Sequence, residues 1–237
     1  SFTGTKFGGG GKRGRAKIPS PQPPSFLPAR AFSLAREARR QFRSKKVRIS
    51  SNKRTMIYLI GGIPRVGKST LAQMILERNK ISWMPLDIVR EALHNVSPHL
   101  GIKEGKNWWI NHHEKFFPFL KELVQDINAS QIIYTLEGDS FLPMHADQLI
   151  KYFGIRACFL GASKINVDTL KTFKGGGDYW LDELSEKELA DLPNWIIKKS
   201  EEYRLECEKY GIRYFDVSFN HRQTLEEAYE YLTKNNI

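Results

Sequence analysis

Cysteine is scarce in this chain. Cys158 and Cys207 are the only two among 237 residues. A pair so far apart makes neither a disulfide framework nor a metal-ligand pattern, so a reducing cytoplasmic setting is expected. No apolar run approaches the ~18 residues that cross a bilayer, and no membrane partner is expected. There is no internal repeat, which excludes solenoids and propellers. No G-x-G-x-x-G occurs, which excludes the dinucleotide-binding fingerprint. Acidic residues are nearly missing from positions 1–55, where Glu37 stands alone against 15 Lys and Arg. The other 182 residues carry 22 Lys and Arg and 25 Asp and Glu, a net −3, so the overall charge of +11 belongs to the N-terminal segment.

That segment also holds six glycines and five prolines. Such a composition buries too little apolar surface to offset the entropy of ordering, so residues 1–55 are expected to form a disordered basic tail and residues 56–237 the folded domain. Three readings of the tail stay open. It is a basic arm for nucleic acid or anionic membrane, a transit-like peptide, or upstream sequence with no native role. Nucleic acid enters as a partner only through a native tail. The oligomeric state is not legible.

What is present after residue 55 is an alternation of strands and helices. Strands are expected at Met56–Ile60, Ile81–Leu86, Gln131–Leu136, Ile155–Leu160 and Ile212–Val217. Helices are expected at Lys68–Asn79, Asp87–Val96, Asn107–Ala129 with a kink at Pro118, Pro143–Phe153, Asn194–Tyr210 and Thr224–Lys234. A long insertion with a Gly175–Gly177 hinge separates the last two strands. This pattern predicts an α/β fold, a parallel sheet covered on both faces.

The first strand runs into Gly62-Ile63-Pro64-Arg65-Val66-Gly67-Lys68-Ser69, which fits G-x-x-x-x-G-K-[ST] without a mismatch. Glycines at those positions let backbone N–H groups turn inward around phosphate oxygens. Lys68 reaches the β- and γ-phosphates, and the Ser69 hydroxyl ligates Mg²⁺. The helix that follows, through Thr70, aims its positive end at the same anion. The cofactors expected are therefore ATP and Mg²⁺.

Over residues 56–237 the chain resembles the P-loop kinases of small molecules, which include nucleoside and nucleotide kinases, uridine kinase, shikimate kinase, chloramphenicol phosphotransferase, zeta toxins and 2-phosphoglycerate kinase. Besides the loop, two short features carry the resemblance: Asp87-Ile-Val-Arg90 after the second strand, and Glu137-Gly138 followed by Pro143 after the third. The resemblance implies a three-layer αβα P-loop NTPase fold, a five-stranded parallel sheet of order 2-3-1-4-5, and a helical lid after strand four. It implies a phosphotransferase acting on a small hydroxyl- or phosphate-bearing acceptor. A nucleotide-binding regulatory or toxin-like protein is the alternative.

Each candidate residue has a role and a competing structural explanation. Asp87 is either the proton acceptor for a substrate hydroxyl or the N-cap of its helix. Arg90 is either a clamp on an acceptor anion or a surface arginine. Glu137 orders Mg²⁺ together with Ser69, or serves as the base, and Asp139 is its backup. Trp109, with Trp108, Phe116, Phe117 and Phe119, lines the acceptor site or fills the core. His112 and His113 are sequence neighbours and are expected to point apart on their helix. Asp216 reads as structural or as lying near the adenine edge. No arginine occurs between Arg156 and Arg204, so Lys171 and Lys174 are the lid cations.

Overall fold

The structure, a computed structural model, describes residues 56–103, 108–172, 181 and 184–234. The expected tail at 1–55, the Gly175–Gly177 hinge and Lys174 lie outside the described residues. Among those described, the strands are β1 (Ile57–Gly62), β2 (Trp83–Pro85), β3 (Tyr134–Glu137), β4 (Arg156–Gly161) and β5 (Arg213–Asp216). The helices are α1 (Lys68–Asn79), α2 (Leu86–Val96), α3 (Trp108–Ala129), α4 (Pro143–Phe153), α5 (Val167–Thr172), α6 (Glu186–Tyr210) and α7 (His221–Thr233), with a 3-10 turn at Pro98–Leu100.

All strands pair in parallel, in the order β2-β3-β1-β4-β5. Every residue of β1 is buried, as a central parallel strand with both faces covered requires. Ile57, Leu59 and Ile60 are at most 1% exposed, and each such side chain contributes about 1.5–3 kcal/mol by leaving water. Helices cover both faces, with α1 packing against α7 and α4 against α3 and α6. The two cysteines are free and buried in this core, where burial raises the Cys207 thiol to about 12 and Cys158 further still. No helix among the described residues is long and apolar enough to cross a membrane.

The register brings the site together. Ile60 pairs with Glu137, and Pro85 also pairs with Glu137. The ends of β1, β3 and β2 therefore reach the same level, and the residues just beyond them meet above the sheet edge.

Several boundaries differ from the sequence expectation. The second strand shrinks to Trp83–Pro85, because helix α2 already begins at Leu86. Helix α6 begins at Glu186, eight residues before the expected Asn194. The signal was the Ser185–Glu188 capping box, whose two reciprocal hydrogen bonds form. Helix α7 likewise starts earlier, because the Asn220 side chain caps it by accepting from the Gln223 N–H at 3.2 Å. Pro118 lies inside α3, which continues through it to Ala129.

Candidate functional site

The phosphate-binding loop forms where β1 stops. Gly62 has φ +135°, and a Cβ there would lie 2.1 Å from the Leu160 carbonyl oxygen, so no other residue fits. Gly67 has φ +92° and precedes the first turn of α1. Arg65 also has a positive φ, 69°, and its Nη2 donates to the Leu170 carbonyl at 2.5 Å, tying the loop to α5. Ile63 and Val66 are buried, at 2% and 0% exposure. Their side chains anchor the loop in the core and leave its backbone to face a ligand. Pro64 is half-buried, and Ser69 and Thr70 are exposed.

Lys68 is 7% exposed and its Nζ donates to the Ile63 carbonyl at 2.8 Å. The ammonium thus lies across the loop. Ser69 Oγ donates to Glu137 Oε1 at 3.2 Å. Glu137 is 3% exposed. Burial raises its pKa, while the nearby Lys68 charge and the Ser69 hydrogen bond oppose the shift.

On the other side of Glu137 lies a second carboxylate cluster. Asp87 does not cap its helix: the N-cap is Pro85, and Asp87 sits in the first turn. Its Oδ1 instead accepts from Ser140 Oγ at 2.9 Å and from the Asp139 N–H at 3.4 Å. The side chain is 40% exposed overall, but that oxygen faces inward. Burial and the adjoining Asp139 push Asp87 up to about 7. Burial works the same way on Asp139, yet the Arg90 guanidinium and the hydrogen bond shared with Asp87 overcome it and hold Asp139 below the usual carboxylate range. Gly138 lets the two strand ends approach, since a Cβ there would stand 3.0 Å from the Leu86 Cβ.

Arg90, expected as either an acceptor clamp or a surface arginine, turns into the cluster rather than lying at the surface. It is 8% exposed, and its Nη1 contacts Asp139 Oδ1 at 2.7 Å, Ser140 Oγ at 3.0 Å and His112 Nε2 at 3.2 Å. It acts as an internal counter-ion that orients Asp139. His112 Nε2 also lies 4.0 Å from Asp139 Oδ1, so the imidazole and the guanidinium face the same carboxylate.

The two histidines also depart from expectation. Their rings stack at 4.0 Å rather than pointing apart, since adjacent helix positions are only about 100° apart and both can edge one cleft. His113 Nε2 donates to the Asp139 carbonyl at 2.9 Å, with the Tyr203 hydroxyl at 3.5 Å. Sequence reasoning missed Tyr203, Ser140 and this use of the histidines. No local signal marks them, because the cluster joins four separate elements. The aromatics divide as core residues do: Phe116 is fully buried, and Phe117 stacks on His145 at 4.2 Å. Trp109 and Lys171 lie on α3 and α5. Asp216 is structural, accepting from the N–H groups of Ser163 and Ser218 and so joining the loops after β4 and β5.

A cavity of about 510 Å³ opens between these groups, with Pro64, His113, Asp139, Trp195, Tyr203 and Glu206 in its wall. It lies between the phosphate-binding loop and α6, with the Asp87–Asp139 pair at its edge. Among the described residues, no group of three or more His, Cys, Asp or Glu side chains could hold a metal ion.

The sequence matches no protein-family model and no curated protein. Solved structures do resemble it. A shikimate kinase from Bacteroides thetaiotaomicron has a TM-score of 0.50 at 15% identity, covering 76% of this chain and 97% of its own. A shikimate kinase from Acinetobacter baumannii in complex with shikimate scores 0.49 at 16% identity, covering 77% and 95%. The PezAT toxin–antitoxin system of Streptococcus pneumoniae scores 0.44 at 17% identity, covering 81% and 78%. With its parallel sheet of order 2-3-1-4-5 and helices on both faces, this chain has the fold of the P-loop small-molecule kinases.

Proposed function

We propose that the protein is a Mg²⁺- and ATP-dependent phosphotransferase acting on a hydroxyl group of a small molecule in the cytoplasm. One observation carries the reading: a buried carboxylate, Glu137, stands 3.2 Å from the Ser69 hydroxyl of the phosphate-binding loop. On its other side the Asp87–Asp139 pair adjoins the cavity.

The residues fit the implied groups. Gly62 and Gly67 leave a cradle that side chains would fill. Ser69 and Glu137 offer hard oxygen donors, and Mg²⁺ characteristically takes one or two protein oxygens and leaves its other positions to water and phosphate. When bound, Mg²⁺ neutralises charge on the phosphoryl group being transferred. Lys68 would exchange its Ile63 contact for phosphate oxygens. Asp87, poised near neutrality, would accept the proton of the acceptor hydroxyl at its carboxylate. Asp139 would hold that hydroxyl in place, and Arg90 would fix Asp139. Lys171 and Lys174 would supply lid charge as point cations.

Calorimetry with Mg-ATP on wild type and Lys68→Ala tests the donor half. The variant should lose binding, while thermal stability falls by only about 1 kcal/mol for one unpaired buried carbonyl. Unchanged ATP affinity in the folded variant would remove the basis for the reading. ATP consumption across a metabolite panel tests the acceptor half.

A further inference from the structure

The charge distribution around the cavity narrows the acceptor. Three carboxylates line it: Asp139, Glu202 and Glu206. The cation in its wall, Lys199, is engaged by Glu202 at 2.5 Å. Behind the wall, Arg90 is engaged by Asp139 at 2.7 Å. His112 Nε2 lies 3.2 Å from Arg90 Nη1 and 4.0 Å from Asp139 Oδ1, so the same carboxylate faces both groups. Each lysine or arginine described in or directly behind the wall is therefore already matched by a carboxylate, and Glu206 stands there as a further carboxylate whose pKa burial raises against the pull of Lys209 and Lys199. Its Oε2 is buried with no hydrogen-bond partner among the described residues, a costly state for an ionised oxygen. Trp195 and Leu142 supply apolar wall.

An anionic acceptor would enter this shell without a free lysine or arginine as counter-charge, next to the loop that would hold the donor's phosphates. A carboxylate or phosphate is admitted to a buried site only when paired. Hydroxyl and ammonium groups, in contrast, can donate to Glu206 and Glu202, while a carbon face lies on Trp195.

We propose that the cavity between α3 and α6 takes an uncharged or cationic polyol or amino alcohol, and selects against acceptors that carry a carboxylate or phosphate. This rests on the phosphotransferase reading for the word acceptor, but not for the charge preference of the cavity.

Two measurements test it on the full chain. The first compares matched pairs as stimulators of Mg-ATP consumption: uridine with uridine monophosphate, glucose with gluconate, glucosamine with glucosamine 6-phosphate. The uncharged or cationic member should give a kcat/KM at least ~10-fold higher, the modest end of what one uncompensated charge costs in a partly screened site. The second uses Trp195 as a reporter. Its quenching is isolated as the difference between wild type and Trp195→Phe. Caesium chloride and potassium iodide are compared at equal ionic strength, each normalised to free tryptophanamide. Caesium should quench ~3-fold more effectively than iodide, and Glu202→Lys with Glu206→Lys should reverse that order.

Stimulation by the anionic members, or iodide quenching equal to or stronger than caesium, overturns the proposal. Failure of every compound to stimulate, with Mg-ATP unbound, counts against the phosphotransferase reading. The quencher ratio then still decides the charge preference.

Discussion

Replacing Asp87 by Asn probes the reaction at one atom. The amide keeps an oxygen where Asp87 Oδ1 accepts from Ser140 Oγ at 2.9 Å, so the local hydrogen bonding survives. What is lost is the carboxylate's capacity to take a proton. Burial and the neighbouring Asp139 push that carboxylate up to about 7 in the folded protein, well above an ordinary aspartate at about 4. Below pH 7 it is protonated and cannot act as a base. The wild-type rate should therefore fall about tenfold per pH unit as pH drops through and below 7. The variant should lose about 10²–10⁴-fold in kcat, which is roughly 2.7–5.5 kcal/mol of barrier. Its acidic limb should vanish, and ATP affinity should stay within a factor of about two. The stability sign runs the other way. A raised carboxylate pKa makes the folded state bind more protons between pH ~4 and ~7, so this group favours the fold less as pH rises through that window. Asp139 is shifted downward, which offsets part of the effect, so kcat is the sharper readout. The assay is acceptor-dependent ATP consumption from pH 5 to 9 with the best acceptor of the matched pairs. An Asp87→Asn enzyme that retains the limb near pH 7 would refute Asp87 as base and point to Glu137 or Asp139.

Glu137→Gln should weaken nucleotide binding about tenfold or more with Mg²⁺ present and change it little in EDTA, as calorimetry in both conditions would reveal. Arg90→Met leaves the half-buried Asp139 without its counter-ion, so stability should fall by about 2–4 kcal/mol, measured by urea denaturation; a variant as stable as wild type would disprove the counter-ion role. Removing residues 1–55 should change the net charge from +11 to −3 with thermal stability almost unchanged, which calorimetric unfolding of the truncated chain would test.

Contiguous features were legible without coordinates. The eight residues from Gly62 to Ser69 announce a phosphate-binding loop because the geometry they impose is local: glycine conformations, a following helix, a lysine one position on. The alternation of apolar runs with helical spacing likewise pointed to a covered parallel sheet, since period and burial are written into each segment. Glu137 and Asp87 could be singled out because each follows an apolar run in the sequence.

Tertiary structure alone decided the surroundings of those carboxylates. The register of Ile60 and Pro85 on Glu137 brings Asp139 within reach of Asp87, and their mutual repulsion in a partly dry site splits their titration. It buried Arg90, expected as either an acceptor clamp or a surface arginine, against Asp139. It also folded His112, His113 and Tyr203 into one cavity wall, though α3 and α6 lie far apart in the chain. Such a cluster has no sequence period or spacing, because what joins its members is the packing of helices on a sheet. Interactions that act through space at a few ångströms leave their trace in the chain only when their partners are also neighbours along it.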